Sequence, residues 1–121
     1  MILQLFSMLP ILALSPNAIP LLTGSPPVAV DDAASVGCNT IVGIDVLGND
    51  YDPDGDPLVI DSVSSPGGAN AQNAGTYIEF DSTVSGTFPV YYQISDGNGG
   101  TASATLTVTV RRSRICDNWP G

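Results

Sequence analysis

Asp50-Tyr51-Asp52-Pro53-Asp54-Gly55-Asp56 sets a carboxylate at every second position, with a glycine just after the third. Alternate side chains of a tight loop converge on one point. A hard dication such as Ca2+ asks for that arrangement, because it takes about six to eight oxygen ligands. The same D-x-D-x-D-G spacing opens the calcium loop that lies between two helices, where glycine permits a sharp turn. Here strand-like sequence follows instead, and the twelfth position is Asp61 rather than a glutamate. The residues therefore favour an oxygen-rich calcium loop of another kind. The competing reading is a polar Asp-Pro/Asp-Gly turn with solvated carboxylates. Four aspartates in seven residues repel one another, which argues for a cation among them.

Charge and composition agree with this chemistry. The chain has 121 residues, enough for one small domain, and carries twelve acids against three arginines, with no lysine and no histidine. Seven of the acids fall between Asp31 and Asp56, so the negative field is concentrated. Such a chain is a poor partner for nucleic acid, where affinity comes from basic residues on phosphates. Without histidine or lysine, a serine or cysteine nucleophile has no ordinary base, and aspartates set in Asp-Gly turns are poorly placed for glycosidase work. No catalytic residue, organic cofactor or small-molecule substrate is expected.

The elements that must position the acids read as short strands broken by turns. Val28-Ala29-Val30 opens a first strand that ends at Asp31-Asp32. Ile41 to Leu47 follows, with Val42, Ile44 and Val46 on one face and Asp45 on the other. After the aspartate loop come Leu58 to Val63, a weak edge strand at Ala69 to Gln72, Thr76 to Phe80, the alternating Phe88, Val90, Tyr92 and Ile94, and Thr101 to Val110. Ser64 to Gly68, Asn73 to Gly75 and Asp96 to Gly100 are turns. About seven strands at this spacing predict an all-β, immunoglobulin-like Greek-key sandwich over residues 27–111.

Residues 1–26 differ in composition. Met1 to Leu14 is apolar and uncharged, and is too short to span a bilayer as a helix. It fits the core of a secretory signal, although no basic residue precedes it and Pro10 interrupts it. A retained apolar arm that docks on a neighbouring copy and a start codon placed too far upstream are the alternatives. Pro16, Pro20, Pro26 and Pro27 then mark an extended linker. Residues 112–121 form a tail. Arg111, Arg112 and Arg114 hold all the positive charge at the strand's end, as a solvated terminus or as a contact for the acidic tip of another copy. Trp119 is read as a cover for the sandwich base, or else as a sugar-stacking platform.

Three ordered motifs also carry a family resemblance. Pro27-Val28-Ala29-Val30-Asp31-Asp32, Ile44 through Asp56, and Tyr92-Gln93-Ile94-Ser95-Asp96-Gly97-Asn98-Gly99-Gly100-Thr101-Ala102 resemble the bacterial immunoglobulin-like, cadherin-like repeats of surface adhesins and secreted multidomain proteins. The resemblance covers about Pro27 to Arg111 and implies a β-sandwich, Ca2+ near one tip, and a spacing or adhesive role rather than catalysis.

In such a topology the start of the first strand, the second-to-third-strand loop and the sixth-to-seventh-strand loop share one end. Asp31, Asp32, the aspartate loop and Asp96 are expected to meet there. Asp32, Asn49, Asp50, Asp52, Asp54, Asp56 and Asp96 are thus the candidate metal ligands, with Asp96 read alternatively as a plain Asp-Gly turn residue. Tyr92 is expected to pack in the core, with a tyrosine-corner bond as the alternative. Cys38 and Cys116 fall at the opposite end, where a disulfide is favoured over two free thiols or an intermolecular bridge. The function expected is a secreted or cell-surface calcium-stabilised module for adhesion, spacing or extracellular structure, with calcium and adjacent domains or other copies of itself as partners. The alternative is a self-assembling filament subunit whose apolar arm adds a strand to the next copy.

Overall fold

The alternation in the last third of the chain builds the centre of the molecule. In a computed structural model that describes residues 24–117, Gly86–Ser95 and Thr101–Val110 pair as long antiparallel strands, from Gly86 opposite Val110 to Ser95 opposite Thr101. Every second side chain of each, from Phe88 to Ile94 and from Ala104 to Val110, is buried, as a two-faced strand requires. Pro89 is tolerated because the strand there has run past its other neighbour, whose pairing stops at Ser64 opposite Tyr91.

In chain order the strands are β1 (Asp32–Val36), β2 (Val42–Ile44), β3 (Val59–Ser64), β4 (Asn70–Asn73), β5 (Ile78–Asp81), β6 (Gly86–Ser95) and β7 (Thr101–Val110), followed by one helical turn, Arg114–Asp117. They form a four-stranded sheet, β1-β7-β6-β3, and a three-stranded sheet, β2-β5-β4. Strand β1 runs parallel to β7; the other pairs are antiparallel. The fold is all-β, an immunoglobulin-like sandwich with Val46, Ile78, Phe80, Val90, Ile94, Leu106 and Val108 sealed between its sheets.

The first strand differs from the sequence expectation. Val28 makes only an isolated bridge with Tyr51, and the strand begins at Asp32. The reason is chemical: side chains take the places of ladder partners. Asp50 Oδ1 accepts from the Val30 N–H (2.7 Å), and Asp31 Oδ1 accepts from the Thr105 N–H (2.9 Å). Strand β2 is likewise shortened, because Asp45 Oδ1 captures the Leu47 N–H (3.0 Å) and bends the chain away.

Cys38 and Cys116 are joined as a disulfide, with Cα atoms 5.4 Å apart across 78 positions. Cys38 follows Val36, which pairs with Val110, so the bridge sits at the end of β7 remote from Thr101. The apolar segment Met1 to Leu14, the linker prolines Pro16 and Pro20, and Trp119 lie outside the described residues.

Candidate metal centre

Two turns at the Thr101 end of the sandwich are organised by their own carboxylates. In the β2–β3 connection, Asp52 Oδ1 accepts from the backbone N–H groups of Asp54 (2.8 Å) and Asp56 (3.4 Å). The Gly55 N–H donates to the Asp52 carbonyl (2.9 Å), and Gly55 holds a left-handed φ of 79°, which glycine adopts without strain. In the β6–β7 turn, Asp96 Oδ1 accepts from the N–H groups of Asn98 (2.8 Å) and Gly100 (2.9 Å). The Asn98 side chain then donates to Asp56 Oδ2 (2.9 Å) and ties the two turns together.

The result is convergence of three of the expected ligands. Asp52, Asp56 and Asp96 each bring a carboxylate oxygen within 4.8 Å of the others. Asp96 is almost fully buried, and the other two are half-buried. Asp52 Oδ2 is buried and accepts no hydrogen bond. Gly100 makes the approach possible: a Cβ there would collide with the Asp96 carboxylate and stand 2.9 Å from the Pro27 ring.

The Asp96 carboxyl is held below the usual carboxylate range. The Asn98 N–H does most of this, burial opposes it, and the Gly100 N–H reinforces it. Asp96 therefore stays ionised beside a carboxylate oxygen that has no donor. Several acidic oxygens without enough hydrogen-bond donors suit a hard cation chemically, and the donor set is all oxygen, as calcium prefers.

The other expected ligands lie elsewhere at the same end. Asp32 and Asp50 meet around Tyr92, whose hydroxyl lies 2.6 Å from Asp32 Oδ2, 3.3 Å from Asp50 Oδ2, 3.1 Å from the Val30 carbonyl and 3.4 Å from that of Val46. Its one proton goes to Asp32, the shortest contact. Burial, more than any other influence, pushes the Asp32 and Asp50 carboxyls up, and each also feels the other or another nearby aspartate. Burial likewise raises the Tyr92 phenol, reinforced by its carboxylate neighbours, so it stays a donor. Asn49 donates to the Asp31 carbonyl (3.3 Å), and Asp54 accepts from the Ser25 N–H (2.5 Å) at the exposed rim.

The structure thus divides the acidic end into two groups: a partly buried three-carboxylate cluster, and an Asp32–Tyr92–Asp50 post that fastens the chain at Val30 to the sandwich. Tyr92 packs in the core as expected, and its proton goes to the Asp32 carboxylate rather than to a backbone carbonyl as in a tyrosine corner. The signal for the post was present in the sequence, since Tyr92 occupies a core position of β6 and its hydroxyl needs a partner when buried.

A family model described as a bacterial Ig domain matches residues 24–109. No curated protein matches the chain. Among solved structures, the chain is similar to a nucleoside hydrolase-related hypothetical protein from Saccharophagus degradans that is associated with carbohydrate metabolism, at 16% identity and a TM-score of 0.55. That match covers 73% of this chain and 26% of the other, and at such identity it shows the fold alone.

Proposed function

The chain belongs to the bacterial Ig-domain family, and on that premise we propose that it serves as a secreted or cell-surface calcium-stabilised module with an adhesive, spacer or structural role, without catalysis. Domains of this family are common in surface and extracellular proteins and are typically non-catalytic. The observation that carries the calcium part is the buried, donorless Asp52 Oδ2 within the Asp52–Asp56–Asp96 cluster. When bound, the ion would neutralise carboxylates from both turns and so fasten the β2–β3 connection to the β6–β7 turn. Asp52 and Asp96 are already oriented for this, because the backbone N–H groups of their own turns fix one oxygen of each. Asp56 is positioned by Asn98. The sequence's lack of histidine and lysine supports the non-catalytic reading, and the disulfide supports an oxidising compartment.

Thermal unfolding tests the proposal. Calcium at about 100 times its Kd should stabilise the fold by about 2.7 kcal/mol, whereas magnesium, which needs a small octahedral cage, should do much less. Identical melting in calcium and in chelator would contradict it. The filament alternative is separated by size: a chain beginning at Ser25 should remain a soluble monomer if the module closes its own core. Fibres formed only by the full-length chain would favour the filament.

A further inference from the structure

The outer face of the β2-β5-β4 sheet holds an aromatic ring that the core does not use. In β5, Ile78 and Phe80 are buried and Glu79 faces outward, and Tyr77, in the bend just before the strand, is exposed as well. Glu79 lies opposite Gly43 of β2, and Asp45 and Tyr77 follow the last registered pair, Ile44 with Ile78, at the end of the two strands. The Tyr77 ring takes the space that a side chain at Gly43 would need: a Cβ there would stand 3.1 Å from Cδ2 and 3.2 Å from Cε2. The ring therefore leans over the strand while remaining 39% exposed. Beside it opens a groove lined by Gly43, Asp45, Leu47, Gly48, Thr76 and Tyr77. Strand β2 is the edge of its sheet, so the groove is open at the rim.

We propose that this groove docks a basic, extended segment of a partner protein, with one arginine side chain seated on the Tyr77 ring beside Asp45. A planar guanidinium stacks on an aromatic face and donates sideways to carboxylates, and the groove offers both at once. Asp45 is pre-oriented by its bond from the Leu47 N–H, and Gly48 leaves its Oδ2 room, since a Cβ there would stand only 3.1 Å away. The net charge of −9 draws a basic segment toward the domain. A neutral sugar ring would gain from the aromatic face but not from the Asp45 charge. The groove shares no lining residue with the Asp52–Asp56–Asp96 cluster.

The test is an NMR titration of the isotope-labelled full-length protein at low salt with acetyl-Gly-Arg-Gly-amide and with its neutral citrulline counterpart. Resonances of Gly43, Asp45 and Tyr77 should shift saturably with the arginine peptide, and the citrulline peptide should bind about tenfold more weakly. Tyr77→Ser and Asp45→Asn should each weaken binding severalfold, Tyr77→Phe should retain it, and Asp61→Asn, on the other sheet, should leave it unchanged. Equal binding of both peptides, or no shift at millimolar arginine peptide, would overturn the proposal. So would tighter binding of a neutral oligosaccharide at the same residues, which would assign the groove to a glycan.

Discussion

The Tyr92 hydroxyl lies 2.6 Å from Asp32 Oδ2, and this bond joins the middle of β6 to the start of β1 across 60 positions of chain. Replacing Tyr92 with phenylalanine keeps the ring and removes the donor. The half-buried Asp32 carboxylate then loses its donor, beside the buried Asp50 carboxylate. Tyr92→Phe should cost about 1–3 kcal/mol in urea unfolding, with an unchanged denaturant slope. A loss within error of zero would show that the post carries no load.

The same post gives the metal-free protein a characteristic pH dependence. Burial raises the folded-state carboxyls of Asp32 and Asp50 above 3.8, so the native state holds protons that the unfolded chain releases. That contribution is fully present below about 3.8 and declines as pH rises through the raised values. Asp96 has the opposite sign: its folded-state carboxyl is lowered, so its contribution is present above 3.8 and is lost as pH falls below it. Asp50→Asn keeps an acceptor for the Val30 N–H and removes one charge beside Asp32. It should flatten the decline above 3.8 and leave the acid limb intact. A variant whose whole profile overlays the parent's would contradict this assignment.

The disulfide and the acidic end should act independently, since they occupy opposite ends of β7. A bridge spanning 78 positions stabilises by about 4–5 kcal/mol in the chain-entropy model. Reduction, or Cys38→Ser with Cys116→Ser, should lower the urea midpoint accordingly and leave calcium affinity unchanged. Unfolding curves with and without reductant, paired with calcium titrations, check both halves.

Gly100→Ala probes the room that the Asp96 carboxylate needs within its own turn. The added methyl meets the Asp96 carboxylate and the Pro27 ring, and neither is free to yield, because Asp96 is held by two backbone N–H groups. The variant should melt several degrees lower and lose most of its response to calcium. Gly97→Ala is a contrasting control: its strain comes from a left-handed φ of 78°, with open space around the new methyl.

Strand β7 was legible in the sequence at both ends, because its alternation is unbroken and Gly99-Gly100 marks its start. Strand β1 was not, because side chains of Asp31 and Asp50 replace the ladder bonds that apolar patterning implies at Val28 to Val30. Topology brings the aspartate loop and the Asp96 turn to one end once a sandwich is assumed, but the choice of Asp52 and Asp56 over Asp50 and Asp54 comes from how the loop turns on the Asp52 carboxylate. The diversion of Asp32 and Asp50 to Tyr92 depends on which way a buried phenol points, and no spacing rule encodes that. The Tyr77 groove was also hidden, since it arises from Gly43 and Gly48 lying beside an outward ring after the strands have paired.

The most direct test of the account is calorimetric titration of the metal-free, full-length protein with calcium chloride at neutral pH. It predicts saturable binding of calcium, abolished by Asp52→Asn and preserved in Asp54→Asn, whose carboxylate serves the Ser25 N–H at the rim. Absence of binding heat, together with an unchanged melting curve in millimolar calcium, would contradict the calcium centre.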